Sequence, residues 1–185
     1  MIETLKQLYW DLFFPGTRYH YISYILRDIP GGLGILLRRK WYSKKLKKAG
    51  KNLTVLPGTV ILNPQNMECG DNVSIGVNNY IQAGGGLVIK SDTMLGPYVK
   101  IWTQTHNYKD YNTPVHSQGY TFKSVEIGHD VWVAANAFIM PGAIIGDKCI
   151  ISANSVVGEK VYSTGTIIAG YPARKIGERR AGSNE

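Results

Sequence analysis

One spacing dominates this sequence, because an aliphatic residue recurs at every sixth position through the second half of the chain. These positions are Ile127, Val133, Ile139, Ile145, Ile151 and Val157. Four positions after each lies a residue that is mostly small or β-branched, namely Val131, Ala137, Ala143, Cys149, Ser155 and Val161. Helices and strands have periods of about 3.6 and 2 residues, so neither explains the pattern. A fixed internal period indicates a solenoid, and hexapeptide periods are typical of parallel β-helices.

Each six-residue unit predicts a short extended segment followed by a corner. The aliphatic residue points inward, and Gly, Asn and Asp fill the corners because they tolerate left-handed backbone angles. Three units close a triangular coil, and coils stack about 4.8 Å apart. The same spacing runs through an earlier series, Val55, Ile61, Cys69, Ile75, Ile81, Leu87, Ile89, Leu95 and Ile101, with two-residue shifts before Cys69 and near Gly84–Gly86. The sequence therefore predicts a mainly β fold of roughly four to five coils.

The six-residue period divides the chain into regions. Residues 1-52 lack it and form a predicted helical, basic and amphipathic region, in which Pro15-Gly16 and Pro30 separate three helices. Residues 53-178 form the predicted β-helix, interrupted by a polar, Tyr-rich loop excursion over 107-124. Residues 179-185 are expected to be a tail.

The positive charge is concentrated at the end of the helical region. Arg38, Arg39, Lys40, Lys44, Lys45, Lys47, Lys48 and Lys51 match the formal net charge of +8. Nucleic acid, an anionic membrane or a phosphate-rich small molecule would each fit such a cluster, and so would a solvated helix end. Because the open end of a solenoid needs covering, we expect residues 1–51 to cap the first coil. Peripheral contact with an anionic membrane is an additional hypothesis, and nucleic acid is not expected as a partner.

Cellular location follows from what the sequence contains. No run of about 18 apolar residues is present to cross a membrane, and the segment Met1–Leu8 lacks the order of a secretory signal. Cys69 and Cys149 both fall on inward repeat positions, which predicts buried, reduced thiols. We expect a cytoplasmic protein, at the inner face of the membrane if the membrane hypothesis holds.

The repeats resemble those of the hexapeptide-repeat acyltransferases, whose units open with an aliphatic residue and often Gly. Ile75-Gly76, Leu95-Gly96, Ile127-Gly128 and Ile145-Gly146 match that opening. The resemblance implies a left-handed parallel β-helix, a hand that general crossover rules would not predict. Thr105-His106, the excursion and the segment Ile127–Val133 are similar to the sugar O-acetyltransferases of the maltose/galactoside acetyltransferase and polysaccharide-biosynthesis type.

This resemblance implies acetyl-CoA as cosubstrate and a direct transfer mechanism. His106 would be the general base, accepting the proton of a sugar hydroxyl that attacks the thioester carbon. The backbone N–H of Ala135 would stabilise the tetrahedral oxyanion. No metal is expected. Members of the family are trimers with sites between subunits, so a homotrimer is expected here.

The resemblance also implies binding residues. For acetyl-CoA these are Trp132, Ala135 and Ala153 beside the pantetheine, and Arg174 and Lys175 at the phosphates. Lys160 would replace the Lys of a Thr-Lys or Ser-Lys pair, since this chain has Gly158-Glu159-Lys160 there. For the saccharide acceptor the implied residues are Asn78, Asn79, Gln82, Trp102 and Tyr108, with Trp102 suited to stacking on a sugar ring.

Three alternatives remain at the level of sequence. In the first, the chain is still an acetyltransferase, but its acceptor is an amino group of a nucleotide sugar or a hydroxyl group of an antibiotic. A γ-carbonic-anhydrase-like metal enzyme is the second, but zinc there needs three converging His, and His116 and His129 lack the fitting spacing. The third is a non-catalytic scaffold, which a variant lacking His106 would distinguish from an enzyme.

Overall fold

The computed structural model describes residues 2–179, so all of the predicted tail except Arg179 lies outside the described residues. Three helices come first: α1 (Ile2–Phe13), α2 (Pro15–Arg27) and α3 (Gly31–Ser43). Proline begins α2 and directly precedes α3, as expected for a residue that fits a helix start and interrupts a helix interior. The predicted helical region is therefore confirmed.

The rest of the chain is built from three parallel sheets. Sheet 1 consists of β1 (Lys48–Ala49), β4 (Met67–Cys69), β7 (Leu87–Ile89), β12 (Val125–Ile127), β15 (Ile144–Ile145) and β18 (Val161–Tyr162). Sheet 2 consists of β2 (Thr54–Val55), β5 (Ser74–Ile75), β8 (Met94–Leu95), β13 (Trp132–Val133), β16 (Ile150–Ile151), β19 (Thr166–Gly170) and β20 (Ala173–Glu178). Sheet 3 consists of β3 (Val60–Leu62), β6 (Tyr80–Gln82), β9 (Lys100–Trp102), β14 (Phe138–Ile139) and β17 (Val156–Val157). A separate hairpin pairs β10 (Gln104–His106) with β11 (Tyr120–Phe122).

The chain visits sheets 1, 2 and 3 in turn, which winds a three-sided prism. Each strand pairs in parallel with the strand one turn later, as Ile139 of β14 does with Val157 of β17. At the far end β20 folds back antiparallel on β19 and closes the edge of sheet 2. The prediction of a mainly β, parallel β-helix preceded by helices is confirmed. Its first strand, β1, lies ahead of the predicted boundary between residues 52 and 53.

The core is the column of inward aliphatic residues that the period predicts. Its members are fully buried, with 0% relative exposure for Val55, Ile75, Ile101, Ile127 and Ile151. Cys69 and Cys149 are free and buried, as predicted. Desolvation raises the pKa of the Cys69 thiol to about 12 and also raises that of Cys149. Both thiols are therefore protonated at neutral pH.

Val161 departs from the other residues that follow an aliphatic repeat position by four, all of which are buried. Val161 is 66% exposed, and its neighbour Tyr162 is buried in its place. Tyr162 pairs with Ile145 in sheet 1 and so continues the inward column. The passage from Val157 to Tyr162 is one residue shorter than the period, and a shift of one residue in a strand exchanges its two faces.

Departures from the period are confined to one corner of the prism, where sheet 3 leads to sheet 1. Ile61 pairs with Ile81, twenty positions later, whereas Ile127 pairs with Ile145, eighteen positions later. The extra residues of the early coils follow sheet 3, in a 3-10 turn at Pro64–Asn66 and in the glycine turn 84–86. The β10–β11 hairpin leaves the prism at this same corner, which we call the hairpin corner.

Ladders of polar side chains stabilise the other corners. Asn52, Asn72 and Asp92 each have positive φ, and they lie one coil apart. Asn52 Nδ2 donates to Asn72 Oδ1 at 3.0 Å, and Asn72 Nδ2 donates to Asp92 Oδ1 at 2.7 Å. Asn and Asp are the non-glycine residues that best tolerate this conformation, so the same residues form the turn and tie neighbouring coils.

The helices cap the first coil through arginine side chains. Arg38 is fully buried, and its Nε donates to Val55 O at 2.8 Å while its Nη1 donates to Ile29 O at 2.8 Å. Arg39 Nε donates to Leu53 O at 2.6 Å. The two Nε donors pair with carbonyls in or next to the first strand of sheet 2, where an open edge would otherwise be exposed. Two members of the basic cluster thus have a structural role.

Candidate functional site

His106 lies at the end of a strand that sequence reasoning did not identify. The predicted excursion is a β-hairpin, in which His106 of β10 faces Tyr120 of β11. Their ring centroids are 4.2 Å apart, and His106 is exposed. The available signal was the pair of segments Gln104-Thr105-His106 and Tyr120-Thr121-Phe122, in which β-branched and aromatic residues occur together. The hairpin therefore presents the imidazole to solvent beside Tyr120.

A network of hydrogen bonds orders the loop between the two hairpin strands. Gln118 Nε2 donates to the carbonyls of Asp110 at 2.8 Å and Thr113 at 2.6 Å. Thr113 Oγ1 donates to the Asp110 carboxylate at 2.6 Å, and this bond, with one from the backbone of Asn112, lowers the pKa of Asp110. The loop therefore has a defined, hydrogen-bonded conformation, although it interrupts the repeat.

The hairpin and the neighbouring coils enclose a cavity of about 730 Å³. It is lined by Thr105, His106, Asn107, Tyr108, Lys109, Asp110, Gln118, Thr121, Lys123, Met140, Pro141 and Glu159. Lys123 Nζ lies 2.5 Å from Glu159 Oε2, so an ion pair ties the base of the hairpin to the coil below. Volumes of about 300–1,000 Å³ are usual for small-molecule sites, and a lining that mixes apolar surface with a few polar side chains is typical of them. Of the predicted residues, His106 and Tyr108 border this cavity.

The residues predicted to contact acetyl-CoA lie mostly along sheet 2 and the corner that follows it. Trp132 is 48% exposed and pairs with Met94 on one side and Ile150 on the other, which gives sheet 2 an apolar outer strip. Ala135 and Ala153 occupy successive coils at the corner between sheets 2 and 3, where the amide of Asn154 donates to Ala135 O at 3.0 Å. Small side chains leave this corner open.

The backbone around Ala135 fits a donor for an oxyanion. The amides on either side are occupied, since Ala134 N donates to Ile151 O and Asn136 N to Pro97 O, both at 2.8 Å. Within residues 2–179, the Ala135 amide has no such acceptor. An N–H group held by a rigid turn and not used by the fold can bind developing negative charge.

The basic residues differ in how far the fold engages them. Arg174 is an exposed residue of β20, opposite Ala169 of β19. Lys175 forms an ion pair with Glu178, which lowers the pKa of that carboxyl group. Lys160 is exposed at the hairpin corner, away from sheet 2.

The residues predicted for the acceptor are not brought together. The side chain of Asn79 is buried and donates to Gly96 O at 3.0 Å, while Gln82 Oε1 accepts from the amide of Gly84 at 2.5 Å. Asn78 forms a left-handed corner at φ 55. These three residues have roles in the coil. Trp102, at 37% exposure, and Tyr108 are the predicted acceptor residues whose rings reach the surface.

The predicted site is thus divided between two parts of the prism. His106, Tyr108 and Lys160 belong to the hairpin corner. Trp132, Ala135, Ala153, Arg174 and Lys175 belong to sheet 2 and the corner after it. Sheet 3 separates the two groups within one protomer. A catalytic site that uses both groups would therefore need a contribution from outside this protomer.

Two features are absent from the residues that the structure describes. No group of three or more His, Cys, Asp and Glu side chains among them is arranged to bind a metal ion. None of the described helices has the length and apolar character needed to cross a bilayer.

Comparisons with known proteins agree with the repeat. The family model described as "Bacterial transferase hexapeptide (six repeats)" matches residues 124–159. WbbJ of Escherichia coli (strain K12), provisionally named an O-acetyl transferase of lipopolysaccharide biosynthesis, is 34% identical over 115 residues, which are 57% of this chain and 57% of WbbJ. Galactoside O-acetyltransferase of the same organism is 28% identical over 135 residues, which are 70% of this chain and 62% of that protein. The chain therefore spans about three fifths of the length of these relatives.

The solved structures extend the comparison to the whole fold. The hexapeptide-repeat containing acetyltransferase VCA0836 from Vibrio cholerae O1 biovar eltor, complexed with acetyl coenzyme A, superposes with a TM-score of 0.78 at 21% sequence identity. The match covers 90% of this chain and 87% of that structure. At this level of identity the likeness establishes the fold.

Proposed function

We propose that this chain, which carries the hexapeptide repeat of bacterial transferases over residues 124–159, transfers an acetyl group from acetyl-CoA to a hydroxyl group of a saccharide. The observation that carries the proposal is the exposed imidazole of His106, which lies on a hairpin and lines a cavity of about 730 Å³. Imidazole is the commonest proton acceptor in enzymes, because its ordinary pKa lies near neutrality. The cavity can admit a sugar ring beside it.

In the proposed reaction, neutral His106 accepts the proton of the acceptor hydroxyl while that oxygen bonds to the thioester carbon. The tetrahedral intermediate carries its negative charge on the former carbonyl oxygen, and the Ala135 N–H donates a hydrogen bond to it. When the carbon–sulfur bond breaks, His106 returns the proton to the CoA thiolate. The products are the acetyl ester and CoA, and no covalent enzyme intermediate forms.

We further propose that the active site forms between subunits of a homotrimer. One protomer presents His106 at the hairpin corner, while Trp132 and Ala135 lie across sheet 3. A three-fold axis parallel to the prism would place the hairpin corner of one subunit against sheet 2 of the next. The apolar strip of Met94, Trp132 and Ile150 supports this arrangement, because exposed apolar strips mark contact surfaces.

The proposed acetyl-CoA groove follows sheet 2. Trp132 and Ala153 would flank the pantetheine arm, since one offers a flat apolar face and the other leaves room for the chain. Arg174 would bind a CoA phosphate, with Lys175 and Lys160 as weaker candidates because Lys175 already pairs with Glu178. Guanidinium matches phosphate geometry better than ammonium does.

The acceptor is proposed to be a sugar of a surface polysaccharide or a lipid-linked glycan, acetylated in the cytoplasm. WbbJ and galactoside O-acetyltransferase support a saccharide hydroxyl as the target. Trp102 and Tyr108 would contact the sugar, with Asn78, Asn79 and Gln82 shaping the coil behind them. An amino nucleotide sugar or an antibiotic is the alternative acceptor.

A thiol-release assay with acetyl-CoA tests the reaction and its acceptor class. Galactosides, maltose, nucleotide sugars, amino nucleotide sugars and chloramphenicol would be compared at equal concentration. The proposal expects a saccharide that carries only hydroxyl groups to accelerate CoA release. Acceleration by amino sugars alone would replace O-acetylation with N-acetylation. An equal rate in the His106→Ala variant would remove the enzymatic proposal.

Mixed trimers test whether the site lies between subunits. His106→Ala disables the hairpin corner, and Ala153→Trp fills the groove beside sheet 2, so each variant alone should have strongly reduced activity at acetyl-CoA concentrations below KM. If the two are refolded or co-expressed together, some interfaces will combine an intact hairpin corner with an intact sheet 2. Recovered activity supports a shared site, whereas inactive mixed trimers would place both halves in one subunit.

A further inference from the structure

Helix α1 exposes its apolar side chains, whereas a helix on the surface of a globular protein normally buries them. No described residue of α1 is buried. Large apolar side chains are exposed along it and just after it: Ile2, Leu5, Leu8, Tyr9, Trp10, Leu12, Phe13 and Phe14. An amphipathic surface helix normally turns such residues toward the protein core. A contiguous apolar patch of this size marks an interaction surface.

One polar residue of α1, Asp11, faces the protein. Asp11 is the only residue of α1 that is partly buried. Its carboxylate accepts hydrogen bonds from Gln7 Nε2 at 2.9 Å and from the hydroxyl of Tyr21, on α2, at 3.1 Å. The polar contact fixes the rotation of α1 on α2, and that rotation leaves the apolar side chains outward.

Position in the fold places this surface at one end of the molecule. α1 packs on α2, α2 packs on α3, and α3 packs on the first coil. Aromatic rings one helical turn apart pair along α1, with centroids 4.3 Å apart for Tyr9 and Phe13 and 5.5 Å for Trp10 and Phe14. Tyr and Trp combine an apolar ring with a polar tip, which suits the boundary between water and lipid.

The charge of the whole protein lies in the same region. Residues 1–51 contain eleven Lys and Arg and three Asp and Glu, a net charge of +8. The remaining residues contain ten of each sign, so their net charge is zero. Arg38 is buried, but Lys40, Lys44, Lys48 and Lys51 are exposed. This region therefore combines exposed apolar side chains with nearly all the unbalanced positive charge.

We propose that α1 and the exposed basic residues of 1–51 dock on an anionic lipid bilayer as an interfacial helix. Each apolar side chain that enters the bilayer contributes favourable transfer energy, and basic residues add attraction to anionic lipids. A contact between the α1 surfaces of two copies fits less well, because it would bring together two regions that each carry a net charge of +8, which the proposed trimer contact between the hairpin corner and sheet 2 does not do. The interaction does not depend on the proposed acetyl transfer, and it would hold the first-coil end of the prism toward the membrane.

Vesicle flotation with the full-length protein tests the proposal. The probes are vesicles of phosphatidylcholine alone and of phosphatidylcholine mixed with phosphatidylglycerol, each at low and high salt. The wild-type protein should float with the anionic vesicles and be partly released by salt. The double variant Leu5→Glu/Phe13→Glu should bind at least about a hundredfold more weakly, because it removes two apolar insertions and adds two like charges.

A matched control separates the docking surface from general hydrophobicity. Val161 is 66% exposed, against 64% for Phe13, and it lies on sheet 1 far from α1. Val161→Glu should float as the wild type does. Equal loss in this control, or equal binding to both kinds of vesicle, would overturn the proposal.

A second copy of this chain is the rival occupant of the α1 surface, and it predicts a different experimental result. If the wild-type protein forms a larger assembly that Leu5→Glu/Phe13→Glu dissociates, and neither protein floats, then a second copy covers α1 and the lipid proposal fails. CoA release with a water-soluble acceptor should be the same for the wild type and the double variant. That assay keeps a failure of membrane docking distinct from a failure of the enzymatic proposal.

Discussion

The hairpin corner and sheet 2 follow opposite rules within one prism. Inward residues of sheets 1 and 2 remain six positions apart, as from Ile127 to Val133 and from Ile145 to Ile151. At the hairpin corner the chain adds a 3-10 turn, a glycine turn and a complete hairpin, and it later loses a residue before Tyr162. One region preserves its spacing and the other absorbs every insertion.

The difference suggests a division of labour in the proposed enzyme. A groove for acetyl-CoA benefits from a constant frame, since its ligand is the same in every reaction of this type. The acceptor side can vary through loops, which tolerate insertion without disturbing the core. In the proposed reaction His106 would join the two, because it lies on the variable element and returns its proton to the CoA thiolate in the constant one.

The largest expected effect tests the hairpin corner. His106→Ala should lower kcat by about 10²–10⁴-fold, the usual contribution of a general base, with the thermal unfolding temperature nearly unchanged because the ring is exposed. Steady-state CoA release and circular dichroism provide the two measurements. His116→Ala, in the same loop but outside the cavity lining, is the control and should retain activity. Equal loss in both variants would mean that the loop, and not the base, is required.

The next effect tests sheet 2 and its corner. Ala153→Trp should raise the KM for acetyl-CoA by about tenfold or more, since crowding a packed site costs about 1–3 kcal/mol. Ala153 is exposed, so folding should not suffer. Ala153→Gly leaves the groove open and should behave as the wild type. A raised KM for the acceptor with an unchanged KM for acetyl-CoA would show that this corner contacts the acceptor and not acetyl-CoA.

A smaller effect concerns the phosphates of CoA. Arg174→Ala should raise the KM for acetyl-CoA by about two- to fivefold, because an exposed ion pair contributes about 0.2–1 kcal/mol. The effect should shrink at high salt. Acetyl-dephospho-CoA is the chemical control, and with it the variant and the wild type should converge if Arg174 binds the 3′-phosphate. A persistent difference would move the contact to the pyrophosphate.

Much of the fold could be predicted because a solenoid repeats its own information. Each coil buries the same positions, so a period of six identifies Ile127 or Ile151 as core without any long-range knowledge. The inward position of Tyr162 could not be predicted in this way, since the turn before it differs from the others and only the pairing with Ile145 determines the register.

The candidate site was less predictable than the fold, because the contacts of its residues depend on parts of the chain that are distant in sequence. The sequence places His106 just after the last regular repeat position before the excursion, but it does not show that the residue lies on a hairpin strand. The hydrogen bonds of Asn79 and Gln82 depend on backbone groups of the next turn and coil, which a repeat pattern does not specify. The Lys123–Glu159 ion pair joins residues thirty-six positions apart and has no local signal.

That ion pair provides the smallest and most discriminating test of the comparison. Lys123→Met should lower the free energy of unfolding by less than about 1 kcal/mol, since both side chains are substantially exposed, at 42% and 59%. It should change the KM for the acceptor by a few-fold and leave the KM for acetyl-CoA unchanged, because the pair ties down the hairpin and does not touch sheet 2. Lys47→Met breaks the comparable 2.7 Å pair with Glu68 on sheet 1 and should leave both KM values unchanged. If Lys123→Met instead changed the KM for acetyl-CoA, the hairpin corner would form part of the donor groove and the proposed division of labour would be wrong.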